Sequence, residues 1–530
     1  MNKICVTPAL AVVIVALNTG STGSAQGPPG SFPAVTEELI GEKDATAPEH
    51  DDEDVVSADG RHAAWRTGRE RKWSVMLDGQ RQAGEYEEVK ALAFGGGGQH
   101  LAFAARRGTA WMMVLDAREG APFDEIGSAV FSADGARTAY AARRDKRWFV
   151  VVDGIVPEAS YDKVGPPVFS QDAKRLAFPA KRGKWILVAD GKELEGQFDD
   201  VDTITFSPDG LRLAWVGRRG SKRVVALDGK EGAPFDTVGG LTFSADSRRF
   251  AHVGADIQGG FKGNKGKGRA VIDGEPGPQF EGTQLPLSNS EALDPTASSD
   301  LATYLVTRGK LDPVYGSHLL YWFHGVSRPV FSADGSRVAY AARRGKNDET
   351  VFMDGQPGIP FPSVVGLPAF SGDGAHVAFA VSAADVTKLL VDGGPVGTGC
   401  CAGTDFVTAI TFAPDGRRVA YVGVAGGHMH KIGMSPRAKR CVYVDGQPGV
   451  QYDALAVSAL QFSRDSRHFV YVVHGVQEGS RQVSFVVANR TEAKRYDAVW
   501  TRTLGVQDTG AVVYVAQSGR KFLRVTHPIQ

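Results

Sequence analysis

Apolar and polar positions alternate along most of the chain in short segments that are separated by turns rich in Gly, Ser and Asp. Residues 331–345, FSADGSRVAYAARRG, contain an apolar run, a Ser-x-Asp-Gly turn, an alternating segment and a basic turn. Alternation with a period of two is typical of strands with one buried face, and Ser, Asp and Gly stabilise tight turns. The pattern predicts strands and no helix.

The pattern repeats, as its most regular aromatic position shows. The aromatic of the alternating segment recurs every 37 or 38 residues up to residue 252 and every 36 to 52 residues thereafter. The positions are Trp65, Phe103, Tyr140, Phe178, Trp215, His252, Tyr304, Tyr340, Phe379, Tyr421, Tyr471 and Tyr514. Each repeat then has a β-branched run ending in Asp-Gly, and a short YDxV or FDxV segment is expected to close it as the fourth strand. A four-stranded repeat of about 40 residues is typical of a β-propeller blade.

We therefore expect an all-β chain of about twelve four-stranded blades in tandem β-propellers. Two six-bladed rings are the simplest division, because propellers have roughly four to eight blades; seven plus five is the alternative. The repeat spacing stretches between Gly274 and Tyr304, in a polar segment rich in Pro and Ser. This places the first propeller at residues 51–284 and the second at 285–530.

The final repeat lacks a segment that would complete its last blade. Either Pro33–Asp44 or Ser288–Asp294 is expected to supply the missing strand, so that residues 26–50 form an N-terminal linker or a closing strand. Radial closure of this kind leaves a propeller with no long unpaired edge.

Residues 1–25 have the features of a signal peptide. Lys3 precedes an apolar run from Ile4 to Leu17, and small residues lead to Ala25. The run is short for a bilayer span, so we expect a periplasmic or secreted protein with no membrane span after cleavage; an uncleaved anchor is the alternative.

Two stretches carry a resemblance to a known family. FSPDGLRLAW at 206–215 and FAPDGRRVAY at 412–421 resemble the PD-type, WD40-like propeller repeats of exported bacterial proteins, such as the TolB-type propeller. The resemblance extends from about residue 51 onward. It implies a propeller that acts as a binding platform or a partner domain, and in some cases as an enzyme.

The charge balance and the motifs narrow the function. With 60 basic and 60 acidic residues the chain has no net charge to attract nucleic acid or an anionic membrane. The sequence contains no GxSxG motif, which would indicate a hydrolase domain. We expect a non-enzymatic platform that uses no cofactor and binds a protein or an acidic polysaccharide. The alternative is a propeller-fold polysaccharide lyase or glycosidase with acidic or histidine residues at the central channel.

The candidate binding residues are basic and lie in turns between the second and third predicted strands. Such turns point to the same face in every blade, and a ring of like charge attracts an anionic partner. We call these residues the basic rim: Arg106, Arg107, Arg143, Arg144, Lys181, Arg182, Arg218 and Arg219. The alternative is that they are solvated turn residues with no partner.

Three further features are weaker candidates. The Gly-Lys loop at 259–269 lacks the GK[ST] ending of a phosphate-binding loop. His428 and His430 could contribute to a copper site, but no spacing fixes a third ligand, so no metal is predicted. His252 is expected to be a core histidine with a hydrogen-bond partner. The phenylalanines that open the repeats, Phe206 among them, are expected to pack between blades.

Overall fold

A computed structural model describes residues 35–48, 51, 53–70, 72–258, 265–283, 322–323, 325–383, 386–396, 404–425, 439–454, 456–507 and 509–529. In these residues the protein is all-β, with one short 3-10 turn at Gly96–Gly98. This part of the chain contains no helix with the length and apolar character needed to cross a membrane. The expected signal peptide and both His428 and His430 lie outside the described residues.

The strands form eleven antiparallel sheets, which we call blades 1 to 11. Blades 1 to 4 contain Val55–Val56, Ala63–Arg69, Lys72–Leu77 and Gln80–Tyr86; Glu88–Gly95, His100–Arg107, Ala110–Leu115 and Arg118–Glu119; Glu125–Ile126, Val130–Phe131, Thr138–Arg144 and Arg147–Val152; and Lys163–Val164, Val168–Phe169, Leu176–Arg182, Lys184–Ala189 and Lys192–Glu193. Blades 5 to 7 contain Asp200–Phe206, Leu213–Arg219, Lys222–Leu227 and Lys230–Glu231; Thr237–Phe243, Phe250–Gln258, Lys265–Ile272, Glu275–Pro276 and Phe280–Thr283; and Trp322–Phe323, Val326–Ser327, Val330–Phe331, Val338–Gly345, Asp348–Met353 and Gln356–Pro357.

The remaining blades follow the same order. Blades 8 to 11 contain Ser363–Phe370, Val377–Ala383, Val386–Val391 and Gly394–Pro395; Thr404–Phe412, Val419–Ala425, Lys439–Val444 and Gln447–Asp453; Ala456–Phe462, Phe469–Glu478, Arg481–Ala488 and Thr491–Glu492; and Ala498–Gln507, Ala511–Ser518, Lys521–Pro528 and Thr36–Glu42.

The propeller fold predicted from the repeats is confirmed, and its described blades number eleven rather than about twelve. The repeated aromatic position is buried in the second strand of every described blade, and His252 occupies it in blade 6. The position predicted for one further blade, Tyr304, lies outside the described residues.

The YDxV and FDxV segments belong to the fourth strand only in part. Their aromatic residue pairs with the third strand of its own blade, as Phe123 does with Trp111, and in blades 1 and 9 the fourth strand includes it, as Tyr86 and Tyr452. Glu125–Ile126, which follows Phe123 and Asp124, pairs with Thr138–Arg144, as does Val130–Phe131. The rest of the segment therefore begins the first strand of the next blade. The fourth strand is a short return after Asp-Gly, because positive φ at Asp190 (52°) and Gly191 (76°) makes a tight hairpin that reverses the chain at once.

Hydrophobic clusters join each blade to the next in chain order. Between blades 6 and 7, Val253 and Phe280 pack with Val326 and Tyr340. Two six-bladed rings would require blade 6 to close on blade 1, so the packing corrects that division to one propeller. Contacts between consecutive blades thus continue across the segment where the repeat spacing is longer. The expected boundary at 284–285 lies outside the described residues.

Blade 11 closes the propeller with the N-terminal strand. Thr36–Glu42 pairs with Lys521–Pro528, with Thr36 opposite Thr526, as the first of the two predicted alternatives required. The indole of Trp65 in blade 1 stacks on Phe522 in blade 11 at a centroid distance of 5.5 Å. A Cβ at Gly41 would lie 2.7 Å from Cη2 of this Trp65, so the closing strand needs glycine there.

Candidate binding face

The antiparallel order of each blade separates its turns onto two faces. The Ser-x-Asp-Gly turns and the Asp-Gly turns lie together on one face. In blade 3, Arg137 after the first turn donates from Nε to Oδ2 of Asp153 in the second turn at 3.2 Å. The turns between the second and third strands lie on the opposite face, and these turns carry the basic rim.

The Ser-x-Asp-Gly turn is built as its residue types predict. Ser132 Oγ donates to Asp134 Oδ1 at 2.6 Å, and the backbone N–H of Arg137 donates to Ser132 Oγ at 3.0 Å. Where Gly is replaced, Ala173 and Ser247 keep positive φ values of 62° and 66°. These turns therefore hold the same conformation at the cost of local strain.

Most basic-rim residues are paired with carboxylates, which the sequence analysis did not anticipate. The pairs are Arg106 with Glu87 and Glu88, Arg107 with Glu119, Arg143 with Glu125, Arg182 with Glu193, and Arg219 with Glu231. Carboxylates thus offset much of the rim's positive charge. A signal for this was present, because Glu119 and Glu231 each stand twelve residues after their arginine.

The other three basic-rim residues have a different environment. Arg144 donates to the carbonyl of Pro122 at 2.9 Å, and Arg218 donates to that of Gly220 at 3.2 Å. Lys181 makes no ion pair with a described carboxylate, although its charge acts at longer range on Asp162. Each of blades 3, 4 and 5 therefore carries one rim cation that forms no ion pair within the described residues.

Two carboxylates on this face have lowered pKa values and are ionised at neutral pH. The pKa of Glu119 is lowered by hydrogen bonds from Arg107 and Tyr86, which outweigh partial burial. The pKa of Asp162 is lowered by the backbone N–H of Gly183 and by Arg147. Acids and bases on this face therefore form charge-assisted pairs.

Four tryptophans lie on this face, three of them beside basic-rim residues, and they were not singled out from the sequence. Each lies half-buried at the start of the third strand of blades 1 to 4: Trp73, Trp111, Trp148 and Trp185. Cations lie near their rings, with Lys90 Nζ 4.1 Å from the centroid of Trp111 and Arg143 Cζ 5.9 Å from that of Trp148. The signal was a Trp after three of the four basic turns, as in AWMM, RWFV and KWIL.

Strand pairing arranges these groups in rows across each blade. The rows are Glu88, Arg106 and Trp111 in blade 2; Glu125, Arg143 and Trp148 in blade 3; Lys163, Lys181 and Trp185 in blade 4; and Asp200, Arg218 and Arg223 in blade 5. Residues directly opposite each other share one side of the sheet. An acid faces a base in blades 2, 3 and 5, whereas a lysine faces a lysine in blade 4.

Buried histidines offer less chemistry than the sequence suggested. His252 is buried as predicted, but its Nδ1 has no hydrogen-bond partner among the residues that the structure describes. Burial lowers the pKa of His252 to about 4. Within the described ranges, no group of three or more His, Cys, Asp or Glu side chains is placed to hold a metal ion.

Comparisons with known proteins found no relative in sequence and only low-scoring matches among solved structures. No family model matches the chain, and no curated protein matches it in sequence. Among solved structures, a eukaryotic initiation factor matches 73% of this chain and 95% of its own, with a TM-score of 0.35 and 9% identity. TolB from Acinetobacter baumannii matches 52% of this chain and 63% of its own, with a TM-score of 0.23 and 18% identity.

Proposed function

We propose that this protein is an exported, non-enzymatic β-propeller of the PD-repeat type whose basic rim binds an acidic polysaccharide. The observation that carries the proposal is that four consecutive blades each place two adjacent cations on one face. Half-buried tryptophans lie beside these cations. Cations would contact carboxylate groups of the polymer, and indole rings would contact the apolar faces of its sugars.

The existing ion pairs do not prevent such binding. Side chains of Arg107, Arg182 and Arg219 are 52%, 54% and 44% exposed, and a guanidinium has five N–H donors. Exposed ion pairs contribute only about 0 to 1 kcal/mol each. A polymer with many carboxylates can therefore add to these pairs, or replace a protein carboxylate, at a small cost.

Retention on an acidic-glycan resin tests the proposal. We expect the wild type to bind immobilised polygalacturonate and to elute with salt, because exposed charges are screened. Replacing Arg143, Arg144, Arg218 and Arg219 by glutamate should abolish retention. The matched control replaces four bases of the Ser-x-Asp turns by glutamate, since all four are exposed on the opposite face: Arg61, Lys174, Arg248 and Arg467. Elution of the wild type at the lowest salt would refute the proposal.

A variant with the same four arginines replaced by glutamine separates binding from folding. Glutamate at residue 143 would face Glu125 directly, whereas glutamine removes the charge without adding repulsion. We expect the glutamine variant to melt close to the wild-type temperature and to elute at lower salt. Retention equal to that of the wild type would show that the rim is not the binding surface.

A further inference from the structure

Blade 4 breaks the charge pattern that its neighbours share. Lys163 on the first strand lies directly opposite Lys181 on the second, at the position where blades 2, 3 and 5 place an acid opposite a base. Like charges directly opposite each other on one face of a sheet are destabilising, whereas opposite charges stabilise. This blade therefore lacks the favourable charge pairing that blades 2, 3 and 5 have at this position.

The surroundings do not neutralise the two lysines. Asp162 is engaged by Arg147 of blade 3 and by the backbone N–H of Gly183. Glu193 pairs with Arg182 and Asp199 pairs with Lys184, at 3.1 and 2.5 Å. Neither Lys163 nor Lys181 forms an ion pair with a described carboxylate, and Asp162 reaches Lys181 only at longer range.

An aromatic ring completes the row. Trp185 lies opposite Lys181 on the third strand, so all three side chains leave the same side of the sheet. Lys163 Nζ is 6.0 Å from the centroid of the indole ring. Lys163 is exposed, whereas Lys181 and Trp185 are half-buried. The row thus presents two ammonium groups and an apolar ring to one small ligand.

We propose that Lys163, Lys181 and Trp185 form a subsite for one uronic acid unit of the acidic polysaccharide. The sugar carboxylate lies between the two ammonium groups, and the apolar face of the sugar ring packs on the indole. The ligand carboxylate then supplies the negative charge that Glu88, Glu125 and Asp200 supply in the neighbouring blades. This inference rests on the proposed function of the basic rim and assigns it a specific position.

The substitution Lys163→Glu tests the subsite, because it gives blade 4 the acid-base pair that blades 2, 3 and 5 have at this position. We expect this variant to melt at a higher temperature than the wild type and to bind tetragalacturonate at least about tenfold more weakly, as measured by titration calorimetry. Lys174→Glu makes the same charge change in the same blade on the opposite face, where the side chain is 82% exposed. It should bind tetragalacturonate as the wild type does.

The outcomes separate the subsite from the wider proposal. If the wild type binds no tetragalacturonate and is not retained on polygalacturonate, both proposals fail. If the wild type binds and Lys163→Glu binds equally well, only the subsite is refuted. A lower melting temperature for Lys163→Glu would contradict the unfavourable lysine pair. Equal binding of neutral tetragalactose by the wild type would refute recognition of the carboxylate.

Discussion

The guanidinium of Arg249 in blade 6 lies 5.2 Å from the ring centroid of Phe331 in blade 7. Arg249 also donates to Oδ2 of Asp273 in its own blade at 2.9 Å and to the carbonyl of Ser336 in blade 7 at 3.1 Å. Corresponding arginines lie over Phe169, Phe206, Phe243, Phe370 and Phe462 of the following blades. The repeated turn therefore encodes a clamp between blades, and one clamp joins the chain segments on either side of the expected domain boundary.

Removal of this clamp should weaken the contact between blades 6 and 7. We expect Arg249→Ala to lower the free energy of unfolding by about 1 to 3 kcal/mol, because it removes hydrogen bonds to a carboxylate and a carbonyl as well as the contact with Phe331. Chemical denaturation measures the change. The control is Arg248→Ala, whose side chain is 86% exposed. Equal stability of the two variants would contradict the role of the clamp.

The phenylalanine beneath a clamp should also contribute to stability. Phe206 is half-buried between blades 4 and 5 and lies 5.1 Å from Arg175 Cζ. We expect Phe206→Ala to cost roughly 2 to 4 kcal/mol, somewhat less than for a fully buried ring. Leu211→Ala, at a side chain that is 73% exposed, should cost little. A loss below about 1 kcal/mol in denaturant melts would show that the ring contributes little to packing.

The neutral histidine in the core predicts a dependence of stability on pH. The pKa of His252 is about 4 in the folded protein, against an ordinary value of 6.5. Between these values the unfolded chain binds more protons, so stability is complete above pH 6.5 and is lost as the pH falls toward 4. His252→Phe, which restores the aromatic of the repeat, should reduce this loss by up to roughly 3 kcal/mol.

Urea denaturation at pH 7.5 and at pH 5 measures the effect of His252→Phe. The variant should gain stability over the wild type at the lower pH, while other titrating groups affect both proteins alike. His376→Phe is a control, because His376 is exposed and pairs with Asp392 at 2.6 Å. An unchanged difference between the two pH values in His252→Phe would mean that the pKa of His252 is the same in the folded and the unfolded protein.

The closing strand should not tolerate a side chain at Gly41. We expect Gly41→Val to destabilise the protein by about 1 to 3 kcal/mol, since even a Cβ would lie 2.7 Å from Trp65. Glu38→Val places the same side chain at an exposed position of this strand and should cost little. Trp fluorescence during thermal melting reports the stability of both variants. Equal melting temperatures would indicate that Thr36–Glu42 does not close blade 11 in solution.

The sequence predicted the fold class better than the size of the ring. Alternation, Asp-Gly turns and a periodic aromatic identify blades because they depend on local physics. The number of blades in one ring depends instead on which two blades contact each other to close the ring. The residues around Phe331 resemble those around the other phenylalanines that open blades. The sequence therefore could not show that Arg249 of the preceding blade contacts Phe331. The contact between Trp65 of blade 1 and Phe522 of blade 11 shows that the series of blades closes into a ring.

The candidate site was predicted in part. The basic turns were evident because Arg and Lys recur after the alternating segment, but their ion pairs needed the register of the strands. Lys163 and Lys181 indicate a binding position only once the strand register shows that they lie opposite each other. Residues eighteen positions apart carry no such sign in the sequence alone.

Closure of blade 11 by its N-terminal strand has a consequence for folding kinetics. Thr36 and Thr526 pair across 490 residues of chain, so this contact carries a large loop-closure entropy until the intervening blades have formed. Contacts of such high sequence separation form late, and folding slows as they become more dominant. We therefore expect blade 11 to assemble last during refolding. The order of synthesis and the order of folding are then opposed, because the strand made first must wait for the strand made last.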